Sequence, residues 1–154
     1  MFARLIQTTG DVAPTIVRIT LGAVIFAHGA QKVFGWFGGR GFEASMAVFT
    51  ESYNLPLALA LIGIMGEFLG SLGLIVGLLS RIAAFGVTMT MIFSIAIVTG
   101  PQGFFMNWAG TRPPGQEGYE FALLAIAMGL TILIKGGGAL SLDRMLYRRL
   151  KRGD

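Results

Sequence analysis

Four side chains in this sequence occupy places where ionisable groups are rarely found: Arg18, His28, Lys32 and Glu67 all fall within long apolar runs. Glu67 is the one that most needs a reason, because it is the sole charge in Pro56–Leu79. A run of that length can cross a bilayer. A charge at mid-depth costs a contested ~3 kcal/mol or more, so it normally has a partner or a task. The carboxyl is therefore either half of a structural ion pair or a group that takes up and returns a proton.

Spacing supplies its candidate neighbours. Arg18, Gly22, Ile25, Gly29 and Lys32 recur at intervals of four, three, four and three, one stripe on a helix, with His28 just off its edge. At 1.5 Å per residue Arg18 lies roughly 10 Å deep, Glu67 about 18 Å and His28 roughly 25 Å. This predicts Glu67 between Arg18 and His28. Arg18 either pairs with it or snorkels to the headgroups, and Lys32, nearer the far end, is expected to snorkel. His28 is either a satisfied core histidine or part of the same polar group.

The elements that must position these groups are helices. Gly63, Gly66, Gly70, Gly73 and Gly77 share a face with Glu67, and Gly66-x-x-x-Gly70 and Gly73-x-x-x-Gly77 are small-residue packing motifs. With Gly22 and Gly29 they predict close helix–helix contact, with the carboxylate toward a neighbouring helix rather than lipid.

Of the 154 residues, 54% are hydrophobic and only 13% charged, against roughly 25% charged in soluble domains. The expected class is an all-α membrane protein of one domain, residues 1–154. Four spans are predicted, at Val12–Val33, Pro56–Leu79, Ile82–Thr99 and Tyr119–Ile134, with Ser80-Arg81 as the tight link between the second and third. Arg4 before an apolar run imitates a signal peptide, but Asp11 and Arg18 interrupt it, so the segment reads as retained. A short piece with Phe42, Met46, Phe49 and Tyr53 at helical spacing is expected to lie in the interface plane, and 99–118 reads as an irregular aromatic loop.

The net charge of +4 does not argue for nucleic acid, since six of twelve basic residues lie in Lys135–Arg152, after the last apolar run. The positive-inside rule then places both termini in the cytoplasm, with the tail 135–154 forming a basic amphipathic helix against the anionic inner leaflet. There is no cysteine and one histidine, which excludes thiolate chemistry, bis-His haem ligation and a His-rich metal site within one chain.

The chain resembles the DoxX family of small bacterial membrane proteins. The likeness rests on Arg18-x-x-x-Gly22, on His28-Gly29-Ala30-Gln31-Lys32-Val33-Phe34-Gly35-Trp36-Phe37-Gly38-Gly39 and on Gly66-Glu67-Phe68-Leu69-Gly70. It continues through Gly77-Leu78-Leu79-Ser80-Arg81, Gly103-Phe104-Phe105-Met106-Asn107-Trp108, Glu117-Gly118-Tyr119-Glu120 and Gly136–Asp143. The resemblance implies a four-helix bundle in the bacterial inner membrane. It also implies association with membrane oxidoreductases, notably thiosulfate:quinone oxidoreductase, or with resistance to quinones or oxidative stress.

Three functions follow as expectations. One is an accessory or quinone-contacting subunit, in which Glu67 takes a proton and His28 or Arg18 polarises a carbonyl; any redox cofactor would belong to a partner, the chain holding at most a bound quinone. The second is a proton-coupled carrier or efflux component working as a homodimer. The third is a structural or assembly subunit of a larger membrane complex.

Overall fold

A computed structural model describes residues 2–113 and 115–152. The described residues form helices and connecting turns: α1 (Phe2–Ile6), α2 (Ala13–Phe34), α3 (Phe42–Ala47), α4 (Leu57–Val76), α5 (Ser80–Ser94), α6 (Glu120–Lys135) and α7 (Leu142–Arg152). A π-helical turn, Val48–Ser52, follows α3, and a second, Ile95–Thr99, prolongs α5. Among the described residues, three helical stretches are long and apolar enough to cross a membrane: Ala13–Phe34, Leu57–Val76 and Ser80–Gln102. The predicted fourth span is a helix at Glu120–Lys135, but with 16 residues it is shorter than these.

Helix α2 packs on α4, α4 on α5, α5 on α6 and α6 on α2. The apolar centre is built from Leu21, Ile25, Leu74, Val87, Met91, Ala125 and Ile132, among others. Two glycines bring α2 and α4 together. A Cβ on Gly29 would stand 2.9 Å from Phe68 Cα, and one on Gly22 would stand 3.0 Å from Ile75 N, so neither position admits a side chain without displacing backbone.

These contacts set the axial offset of the pair. Gly22 lies opposite Leu74–Ile75, so α2 begins about two turns, roughly 12 Å, before α4 ends. The depths expected for Arg18, Glu67 and His28 require a shared starting level, which the two helices do not have.

The connection between α4 and α5 also differs from expectation. It is Gly77–Leu79, and Ser80 and Arg81 already belong to the first turn of α5. Gly77 (φ 72°) ends α4 in the left-handed conformation that a Cβ disfavours. Helix α5 starts where it does because the Asp143 carboxylate accepts the amides of Leu79 (2.7 Å) and Ser80 (2.8 Å), satisfying orphan donors of its first turn.

Asp143 belongs to a polar clasp at this end of the molecule. Arg18 is fully buried and donates to the carbonyls of Leu74, Ile75 (2.8 Å), Gly137 (2.9 Å) and Leu140 (2.7 Å). Thr8 Oγ1 accepts from Gly138 N (2.6 Å), and Ala139 N donates to Asp11 O (2.9 Å). The segment 137–143 is thus stitched to the starts of α2 and α5 and to the end of α4.

Candidate functional site

Glu67 is 6% exposed, and its Oε2 lies 2.5 Å from Lys32 Nζ. This is the salt bridge found among the described residues. Arg18, expected either to pair with Glu67 or to snorkel, is committed to carbonyls about two turns further along α4. Lys32 does not simply snorkel, because the offset of α2 against α4 brings its long stem level with Glu67. His28, one turn before Lys32 on α2, makes no hydrogen bond to the pair among the described residues; its ring packs on Phe121 of α6, 5.6 Å between centroids. Of the four candidate residues, then, the structure joins Lys32 to Glu67 and sends Arg18 and His28 to other neighbours.

The ion pair forms part of the wall of a cavity of about 440 Å³ between α4 and α5. That size suits a small organic molecule. Its sides are Gly63, Gly66, Phe85, Gly86, Met89, Thr90, Phe93 and Ser94, and it is bounded by Val48, Phe49, Tyr53, Leu55, Ile97 and Val98. Both π-helical turns supply lining residues. Such turns shift side chains off the regular 3.6-residue register and recur at functional sites.

Several lining residues stand at the outer surface of the helices: Ile62 is 65% exposed, Phe85 57% and Phe93 51%. All are apolar and lie on helices long and apolar enough to cross a membrane, so the mouth opens at the outward faces of α4 and α5. Inside, the polar groups are few: the Lys32–Glu67 pair, the Tyr53 hydroxyl, Thr90 and Ser94. Thr90 spends its hydroxyl proton on Gly86 O (3.0 Å). Of the ammonium's three donors one is spent on Glu67, leaving capacity for a ligand oxygen.

The glycines of α4 divide into two kinds. Gly70 and Gly73 pack: a Cβ on either would meet Val87 at 3.1 Å or Ala83 at 3.0 Å. Gly77 closes α4 against Arg18 and Ser141. Gly63 meets nothing within 4 Å and Gly66 only Thr90 Oγ1 at 3.4 Å, so the close packing expected of these two is replaced by cavity wall. Gly86 across the cavity is also open, and only its isolated position in the third apolar run hinted at it.

Phe49 and Tyr53, expected to lie on the membrane surface, stack at 6.2 Å and turn toward the cavity. Their helical spacing carried the signal of a shared face but not of what that face covers. Asp143 escaped the reading of polar residues altogether. Its cue was a lone acid, two residues after Ser141, at the start of a basic helix. Among the described residues no cluster of three or more His, Asp or Glu could hold a metal ion.

A protein of Bacillus subtilis (strain 168) named "Putative oxidoreductase CatD" is 23% identical over 144 residues, which cover 94% of each chain. No solved structure matches the chain. The DoxX family model matches residues 13–100, from the start of α2 to the end of the α5 extension, and every cavity-lining residue falls inside that match. With more than half of its length matched by that model, the chain belongs to the DoxX family of membrane proteins.

Proposed function

We propose that this protein is an accessory, quinone-contacting subunit of a membrane redox or oxidative-stress system. The observation that carries the reading is a charged pair set in the wall of a largely apolar, aromatic cavity whose mouth is at the outward, apolar faces of α4 and α5. The site fits a quinone by chemistry. The ammonium of Lys32 donates to a ring carbonyl, Glu67 accepts the proton of a hydroxyl, and Phe85 and Phe93 offer apolar ring faces. A bound quinone would supply reversible two-electron, two-proton chemistry. Residues of this chain orient it, exclude water and hold a proton at Glu67, while electrons come from a partner protein. The relative named as an oxidoreductase agrees with this direction.

The same reading places the protein in the bacterial inner membrane as a four-span bundle, with α6 as the short fourth crossing of roughly 24 Å. The ends of α1, α5, α6 and α7 that carry Arg4, Arg81, Lys135 and Arg144 face the cytoplasm.

The decisive test is thermal unfolding of the detergent-purified protein with a short-tailed benzoquinone. A saturable rise in Tm is expected, together with native quinone extracted alongside protein taken gently from its own membrane. Absence of both removes the proposal.

Gly63 and Gly86 give a sharper test. Gly86→Ala places a methyl in open space and improves helix propensity, so stability should hold or rise by about 0.5–1 kcal/mol. Gly86→Leu or Gly63→Leu extends into the cavity and should weaken quinone binding about tenfold or more while the protein stays folded. Unaltered binding in both leucine variants would place the ligand elsewhere.

A further inference from the structure

Outside the cavity, positive charge gathers in one recess. Arg144, Arg148 and Lys151 recur at i, i+4 and i+7 on α7 and share a helical face. With Tyr147 they form one wall, and Thr8 and Gly10, in the link between α1 and α2, form the other. Like charges on one face repel, yet no carboxylate among the described residues pairs with them. Two acids near the recess among the described residues are engaged elsewhere: Asp143 caps α5, and Asp11 Oδ1 accepts from Ala13 N (3.0 Å).

The recess is built to present donors. Arg144 Nη1 is anchored on Ala139 O (3.1 Å). Its Nη2 lies over Gly10, where a Cβ would stand 2.7 Å away, so the guanidinium rests close against this backbone. Thr8 Oγ1 accepts from Gly138 N, which leaves its own O–H to donate inward. Guanidinium, ammonium and hydroxyl groups converging on one space match an anion with several acceptor oxygens, which a phosphate is. The face of α7 turned away from the recess exposes Leu142, Met145 and Leu150. The recess also lies at the end of the helices where α2 begins and α6 finishes, the level of lipid headgroups if those helices cross the membrane.

We propose that this recess binds the phosphate of an anionic phospholipid headgroup. The site closes α7 against the α1–α2 link and makes the clasp around Arg18 and Asp143 dependent on lipid. It rests on observations separate from the cavity and stands or falls independently of the quinone reading.

The test uses full-length protein, delipidated in a neutral detergent and unfolded thermally after addition of phosphatidylglycerol, phosphatidylcholine or inorganic phosphate. Phosphatidylglycerol is expected to raise Tm by about 5 °C and phosphatidylcholine to leave it unchanged. Arg148→Gln with Lys151→Gln should abolish most of that rise without moving the starting Tm, since both side chains are exposed. Arg40→Gln, an exposed cation outside the recess, should keep the full rise. An equal rise with phosphatidylcholine, or a full rise in the double variant, overturns the proposal. A rise reproduced by inorganic phosphate alone also overturns it, by assigning the recess to a soluble anion.

Discussion

Arg18→Met should leave little or no folded protein. The substitution keeps the length and apolar stem of the side chain but removes the donors that serve the carbonyls of Leu74, Ile75, Gly137 and Leu140. A buried polar group left without a partner costs about 1–3 kcal/mol. Four of them together exceed ~4 kcal/mol, a large share of the 5–15 kcal/mol that holds a typical domain. Arg18→Lys should fall between, because three donors on one nitrogen cannot span carbonyls from both α4 and the 137–140 segment. The measurement is the yield of monodisperse protein after extraction, followed by its rate of thermal inactivation. A methionine variant with wild-type yield and Tm would show that the clasp is not what holds the end of α4 to the tail.

The second large effect concerns the Lys32–Glu67 pair, where the question is whether it holds the fold, serves a ligand, or both. Removing one partner of a buried pair strands the other charge and typically costs 3–5 kcal/mol. Lys32→Met is therefore expected to destabilise strongly, by about that amount, unless the carboxyl takes up a proton. Replacing both residues, Lys32→Met with Glu67→Leu, should recover most of the stability, because an apolar pair of similar volume is tolerated well in place of a buried ion pair. Quinone affinity separates the readings. With a ligand-contacting pair, the double variant is stable but binds a short-tailed benzoquinone at least about tenfold more weakly, since the ring oxygens lose their donor and acceptor. If the pair serves the fold alone, the double variant binds as the wild type does, and the proposed chemistry at Glu67 is then wrong.

The helices themselves were written plainly in the sequence. Long apolar runs broken by Gly35, by Gly77 and by the glycine- and proline-rich stretch 99–118 mark where the chain must turn. Observed and expected ends of the first two runs agree to within a few residues. The link between the second and third apolar runs was misplaced by about one turn, because its position depends on a cap that arrives from Asp143, more than sixty residues later.

The pairing of polar groups was less legible. Glu67 could be recognised as needing a partner, and Lys32, Arg18 and His28 as the available ones, because charge within an apolar run is visible in one dimension. Selecting among them required the axial offset between α2 and α4. That offset is fixed by the contacts of Gly22 with Leu74–Ile75 and of Gly29 with Phe68, and helical periodicity leaves it open. Periodicity likewise assigned Gly63, Gly66, Gly70 and Gly73 to one face, but could not tell that α5 approaches only the second pair closely.

The sequence alone determined that the chain is helical and rich in membrane-crossing segments, that its basic residues crowd after the last apolar run, and that one acid lies deep in an apolar helix. Those properties follow from composition and period, which each segment carries by itself. Tertiary structure alone decided that the acid meets Lys32, that the fully buried Arg18 binds backbone instead of a carboxylate, and that space remains between α4 and α5 beside the pair. Each of these depends on distances between segments far apart in the chain, and such distances are set by how closely whole helices approach, at backbone contacts that no local pattern encodes.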